Sequence, residues 1–178
     1  MQISAGFWRD ANRVPITVDG VVSTTTLTIN GNNTTVNPPI FTVVGAVEVR
    51  GIWGVVTTDL SSNITAAYLR LNDQTAQPAI TVSSGTTLSA IKAGSLIVKN
   101  GLVAAAITKI DNAAGRINEP TTLETTFFSP FVATKKTAAL TQIEFVYTTT
   151  NTPATGAIEF FIRWLPLTED ANIISVGV

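Results

Sequence analysis

The sequence predicts an all-β protein, an antiparallel β-sandwich of jelly-roll-like type with an extended N-terminal arm and at most one short helix. Short apolar stretches alternate with a period of two, which is the period of a strand with one face in a core. Turns of Asn, Gly, Pro and Thr separate about ten such stretches, a spacing typical of sandwiches. Hydrophobic residues make up 45% of the chain and charged residues only 13%. The abundant threonines are β-branched and favour strands.

The N-terminus differs in composition from the rest of the chain. The whole chain has 178 residues, which suffice for one domain with a core. We predict an arm over residues 1–14 and a single sandwich domain over 15–178. The arm concentrates aromatic and charged side chains, namely Phe7, Trp8, Arg9, Asp10 and Arg13. Because charge is scarce elsewhere, we interpret this cluster as a docking arm that reaches a neighbouring subunit. A solvated terminus is the alternative.

Three of the strand regions predicted in the first half of the domain bear most on the fold. Residues 21–29 place Leu27 and Ile29 on one face and threonines on the other, and Asn30-Gly31 then predicts a tight turn. Residues 40–58 are β-prone throughout, and their three glycines predict bends, bulges or close backbone approach, as expected where a strand turns a sandwich corner. These glycines are Gly45, Gly51 and Gly54. Residues 63–71 form the next predicted strand.

The middle of the chain holds the best candidate for a helical turn. Residues 86–93 begin with Thr86, a possible cap, and are followed by Gly94 as a stop. Residues 95–99 and 102–110 then predict two strands joined at Asn100-Gly101, a strong hairpin signal.

The C-terminal region is the most aromatic, and its two alternating stretches, 140–147 and 157–167, predict an antiparallel hairpin. One face of this hairpin is predicted to fill the core, and it comprises Ile143, Phe145, Tyr147, Ile158, Phe160, Ile162 and Trp164. The other face carries Val146, Phe161 and Leu165 beside charged residues. That face is too apolar for open solvent, so we predict an interface there, covered by a second sheet, a neighbouring subunit or the arm.

The residue inventory excludes several chemistries. The chain has no cysteine and no histidine, which removes disulfides, thiolate sites, the commonest general base and the commonest metal ligand. Acidic residues are scattered singly apart from one adjacent pair in a terminal turn, and no nucleotide-binding glycine pattern is present. The net charge of −1 does not favour nucleic acid, and the apolar stretches are too short to span a bilayer. We therefore predict no enzyme activity, catalytic residue, cofactor or metal.

A family resemblance begins in the arm. The segment Phe7-Trp8-Arg9-Asp10-Ala11-Asn12-Arg13-Val14-Pro15 resembles the RD-x-NRVPV start of small virion proteins of tailed bacteriophages and their prophages. Looser similarity extends to residues 94–99, 151–156 and 163–167. The resemblance implies a structural protein of the phage particle, located in the virion, that decorates or cements the head and contacts the major capsid protein or another virion protein. It supplies no catalytic residues.

Three functions follow as hypotheses. The first is a non-enzymatic virion component that self-associates, with a trimer as the expected oligomer, and binds the shell through its arm; low surface charge is consistent with burial against other protein. The second is a carbohydrate- or receptor-binding module of a fibre or spike, with Trp8, Trp53 or Tyr68 as a stacking platform, although Trp53 and Trp164 are predicted to pack in the core. The third, a glycan-cleaving enzyme, needs two close carboxylates that the sequence does not indicate.

Overall fold

Two antiparallel sheets packed against each other form the fold, so the predicted β-sandwich is confirmed. The computed structural model describes residues 20–99, 105–110, 128–136, 139–150 and 153–177. The predicted arm and its boundary at residue 15 lie outside these ranges. The strands are β1 Val21–Thr28, β2 Thr35–Val36, β3 Pro39–Val44, β4 Ala46–Thr58, β5 Ile64–Asn72, β6 Leu96–Lys99, β7 Ile107–Ile110, β8 Phe131–Thr134, β9 Thr141–Thr149, β10 Ala157–Pro166 and β11 Asn172–Ser175.

The described strands divide between a six-stranded and a five-stranded sheet. The six-stranded sheet has the order β1-β10-β4-β6-β7, and β8 pairs with the first part of β4. The five-stranded sheet has the order β11-β3-β9-β2, and β5 pairs with the other edge of β9. The two longest strands, β4 and β10, and the central strand β9 therefore lie inside the sheets, where apolar residues on their inner faces bury the most surface.

The predicted C-terminal hairpin is wrong, because β9 and β10 belong to different sheets. The chain between them crosses the sandwich, and at the end of this crossing Gly156 has φ +132° and its carbonyl accepts a hydrogen bond from the amide of Ile29 at 2.9 Å. The predicted core faces nevertheless meet across the sandwich, where the rings of Phe145 and Phe160 lie 5.0 Å apart. All seven residues predicted for the core face are at most 4% exposed, so that part of the prediction is confirmed.

The long strand region predicted over residues 40–58 changes sheets at Gly45, as the sequence predicts for a sandwich corner. Gly45 has φ +62°, a conformation that favours glycine, and it separates β3 in one sheet from β4 in the other. A register shift where Arg163 pairs with Gly51 and Trp164 with Val49 marks a bulge in β4. The bulge changes which residues of β4 point inward, because it inserts one unpaired residue into a period-two pattern.

In the middle of the chain the predicted pair of strands forms, but the connection between the two strands is longer than predicted. β6 and β7 pair as expected, but Lys99 pairs with Ile107, so the connection spans seven residues rather than a two-residue turn. The predicted helical turn is a single 3₁₀ helix, Gly85–Leu88. No helix in the described part of the chain is long and apolar enough to cross a membrane.

Hydrogen bonds close both sides of the sandwich. On one side, Ser23 Oγ donates to the carbonyl of Ile173 at 3.1 Å, and Thr25 Oγ1 donates to that of Val176 at 2.6 Å. On the other side, residues 78–84 run along the edge of β5, where the amide of Ile80 donates to the carbonyl of Leu69 at 2.8 Å. The amide of Val82 in this segment donates to the carbonyl of Ala105, just before β7 of the other sheet, at 3.4 Å. With both sides closed, the two outer faces of the sheets are the broad surfaces of the described domain.

Candidate interaction surface

The outer face of the six-stranded sheet carries a stripe of aromatic and aliphatic side chains, and we call it the aromatic face. Its central row consists of directly paired neighbours on five strands, Thr24, Phe161, Trp53, Val98 and Thr108. The rings of Trp53 and Phe161 are stacked, with centroids 5.4 Å apart and planes 3° apart. Both side chains are only half-buried, so the stack is a surface feature and not part of the core.

Two further rows flank the central row. One row pairs Thr26, Glu159, Val55, Leu96 and Ile110, and the other pairs Val22, Arg163 and Gly51. Val55, Leu96 and Ile110 are half-buried, whereas Val22 is 47% exposed. The Arg163 guanidinium lies 6.0 Å from the Trp53 ring centroid, within cation–π range. Beyond these rows, Leu165 pairs with Glu48 and Glu48 with Val132. The aromatic face therefore has an apolar centre with single charges on either side.

The outer face of the five-stranded sheet is organised differently, and we call it the polar face. Glu144 is only 3% exposed, and each of its two carboxylate oxygens accepts one hydrogen bond. Arg70 Nε donates to Oε2 at 2.6 Å, and Asn72 Nδ2 donates to Oε1 at 2.7 Å. Arg70 also donates through Nη1 to Gln77 Oε1 at 2.6 Å. This network satisfies a carboxylate that would be costly to bury alone, and it ties the loop after β5 to the sheet.

The residues predicted for the sheet interface do not lie on one surface. Val146 is on β9, faces away from the core on the polar face, and is 1% exposed. Phe161 and Leu165 are on β10 and lie on the aromatic face, where both are half-buried. The sequence placed the three together because it predicted a hairpin. The arm residues Phe7, Trp8, Arg9, Asp10 and Arg13 lie outside the described residues.

The two candidate stacking residues in the described chain also occupy different faces. Tyr68 lies on the polar face, paired with Val146. Trp53 lies on the aromatic face, so its predicted core position is wrong, whereas Trp164 is 4% exposed and in the core as predicted. Strict alternation from Val49 would point Trp53 inward, but the bulge at the unpaired Arg50 turns it outward. Gly51, next to that bulge in a β-prone stretch, was the signal that could have revealed this.

An open cleft of about 470 Å³ lies where β4 begins, and it is lined by Gly45, Ala46, Thr134, Lys135, Lys136, Thr168 and Asp170. Its polar groups serve the corner at Gly45. Thr168 Oγ1 donates to Asp170 Oδ1 at 2.8 Å and accepts from the amide of Ala46 at 3.0 Å. The Lys135-Lys136 doublet also lines this cleft, and the Lys136 ammonium lies 3.9 Å from Asp73 Oδ2.

The perturbed titratable groups of the described chain stabilise loops or are buried. The pKa of Asp59 is lowered by hydrogen bonds from the Lys92 ammonium and the amide of Ala93, and that of Asp73 by amides of its own turn. Burial lowers the pKa of Lys99, whose ammonium lies 4.7 Å from the Phe128 ring centroid. Burial raises the pKa of Tyr147. No group of three or more His, Cys, Asp or Glu within the described ranges could hold a metal ion.

Comparison of the chain with protein-family models, with curated proteins and with solved structures found no match.

Proposed function

We propose that this chain is a non-enzymatic structural protein of a phage particle, which self-associates and binds the capsid shell as a decoration or cement protein. The observation that supports it most is the aromatic face, where Trp53 and Phe161 stack on the outside of a closed sandwich. An apolar patch of this kind on a folded domain is typical of protein–protein contact. The resemblance of residues 7–15 to virion proteins supplies the setting.

In this proposal the arm and the aromatic face have separate tasks. The aromatic face mediates self-association, since its centre is apolar and its charges are few. The arm, with Phe7, Trp8, Arg9, Asp10 and Arg13, contacts the major capsid protein or another virion protein. Aromatic and arginine side chains are enriched among residues that dominate the energy of protein interfaces. The location proposed for the protein is accordingly the virion.

The test is binding of purified protein to particles that lack it. We expect the full chain to saturate the particles and the chain trimmed before Pro15 to lose most of its occupancy, measured by gel densitometry of sedimented particles. Trp8→Ala with Arg9→Ala in the full chain should reproduce the loss, and Lys92→Ala, on an exposed loop of the domain, is the matched control. Full occupancy by the trimmed chain would refute the docking arm.

The carbohydrate-binding alternative needs an aromatic ring with a free face. Phe161 stacks against one face of the Trp53 ring and the Arg163 guanidinium lies close to the ring, so the geometry favours protein contact. Tyr68 is half-buried on the polar face. A glycan array is the direct test, and we expect no binding. A glycan whose binding is lost in Trp53→Ala would instead establish the alternative.

A further inference from the structure

The charges of the aromatic face are arranged symmetrically about its central row. On β10, Glu159 and Arg163 lie two residues to either side of Phe161, so all three point outward. The other two charges of this face, Glu48 and Arg50, form an ion pair with each other at 3.4 Å. Among the described residues neither Glu159 nor Arg163 has an ion-pair partner. The face thus presents one unmatched charge of each sign at equal distances from its centre.

We propose that the aromatic face binds the aromatic face of a second copy of this chain, related by a two-fold axis along the central row. This inference rests on the self-association in the proposed function and identifies its surface and symmetry. In a two-fold contact the same patch serves both copies, so residue i meets residue j and j meets i. An axis along the central row brings Phe161 onto Phe161 and Trp53 onto Trp53 of the second copy.

The same axis places each flanking row of one copy opposite the other flanking row of the second copy. Glu159 of each copy then faces Arg163 of the other, which forms two opposite-charge pairs. Val55 faces Gly51 of the second copy, so a branched side chain lies against a position that has none. Sheets packed face to face lie about 10 Å apart, a gap that tryptophan and phenylalanine side chains can fill. The contact is therefore complementary in both charge and shape.

The polar face offers no comparable surface. Its buried carboxylate, Glu144, already accepts from Arg70 and Asn72 within the chain. A charge that is satisfied internally gains little from a partner. A second copy is thus favoured at the aromatic face, where the complementary charges are both unmatched and lie on one strand.

Charge reversal tests this arrangement, and sedimentation equilibrium gives the mass. We expect the wild-type chain to form pairs. Arg163→Glu and Glu159→Arg each place like charges opposite one another twice, and each should raise the dissociation constant of the pair by about 100-fold. An equimolar mixture of the two variants should form pairs again, because every contact between them is then of opposite charge. The double variant Glu159→Arg with Arg163→Glu should pair with itself.

Both reversals lie on exposed or half-exposed positions, and thermal unfolding followed by circular dichroism verifies that each variant folds. Lys135→Glu, at the exposed end of β8, is the matched control and should pair as the wild type does. A wild-type monomer, a trimer as expected from the sequence, or a mixture that does not pair would overturn the two-fold contact. Particle binding is measured separately with the same samples, so a wild-type chain that binds particles but forms no pair refutes this inference and leaves the proposed binding to the shell standing.

Discussion

The two outer faces of the sandwich contrast in how they treat polar and apolar groups. On the polar face, Glu144 is nearly inaccessible and its charge is matched inside the chain by Arg70. On the aromatic face, Trp53 and Phe161 remain half-exposed beside Glu159 and Arg163. The side chains of the polar face therefore stabilise the single chain, whereas the aromatic face leaves both apolar surface and charge available for a contact.

This contrast arises on strands that share one core. β9 and β10 bury equivalent inner faces, with Phe145 against Phe160 at 5.0 Å. Their outer faces differ because each is bordered by different strands: β9 by β5 with its arginine, and β10 by β4 with its tryptophan. Residues on the neighbouring strands thus influence whether an outer face is polar or apolar more than the strand's own sequence does.

The largest expected effect is a difference in the free energy of unfolding between substitutions on the inner and the outer side of β10. Phe160→Ala removes a side chain that is 1% exposed and should lower the free energy of unfolding by about 3–5 kcal/mol, because a cavity remains in the core. Phe161→Ala, one residue further along, should lower it by only about 1–2 kcal/mol, since the ring is half-exposed. Urea unfolding of dilute protein measures both. Equal losses would show that the aromatic face belongs to the stability of the chain.

The second effect compares carboxylates on the two faces. Glu144→Ala leaves Arg70 without its ion pair and should lower the free energy of unfolding by about 2–3 kcal/mol, which is reduced from the fully buried case because Arg70 is partly exposed. Glu159→Ala on the aromatic face should change it by less than about 0.5 kcal/mol. The same urea titrations give both values. If Glu159→Ala lowered the free energy of unfolding more than Glu144→Ala does, the carboxylate that stabilises the single chain would be the one on the aromatic face, contrary to this expectation.

The smallest effect concerns Lys99, which is 3% exposed on the inner side of the six-stranded sheet. Burial lowers its pKa below the ordinary 10.5, so the unfolded chain binds the proton more tightly. The free energy of unfolding should therefore rise as the pH increases toward 10.5, and Lys99→Met should flatten this rise. The raised pKa of Tyr147 acts in the opposite direction, above its ordinary value of 10.0.

Thermal unfolding across this alkaline range measures the slope. Lys92→Met is the matched control for the loss of a lysine, because the Lys92 side chain is 72% exposed. An identical slope in Lys99→Met and wild type would contradict the role of burial.

Particular residues show how far the sequence could be used to predict the site. Alternation identified Phe161 and Leu165 as outward-facing apolar residues, which was sufficient to indicate a surface on β10. It could not identify Trp53 as their neighbour, because the unpaired Arg50 reverses the direction of the side chains that follow it on β4, as far as the second register shift near Thr57. Nor could it separate Val146 from Phe161, since both sit on the same side of a hairpin that does not form.

The sequence alone determined which residues of most strands face the core, because period-two alternation and burial depend on local chain geometry and hydrophobicity. It also indicated a corner within residues 40–58 at one of three glycines, and the structure identifies it as Gly45, where the backbone has a positive φ. Only the tertiary structure decided which strands pair. A connection such as residues 150–156 can close a hairpin or cross a sandwich while it buries the same inner faces, and the choice depends on distant partners, β1 and β4 for β10, and β2, β3 and β5 for β9. The aromatic face exists only because that choice brings Trp53 beside Phe161.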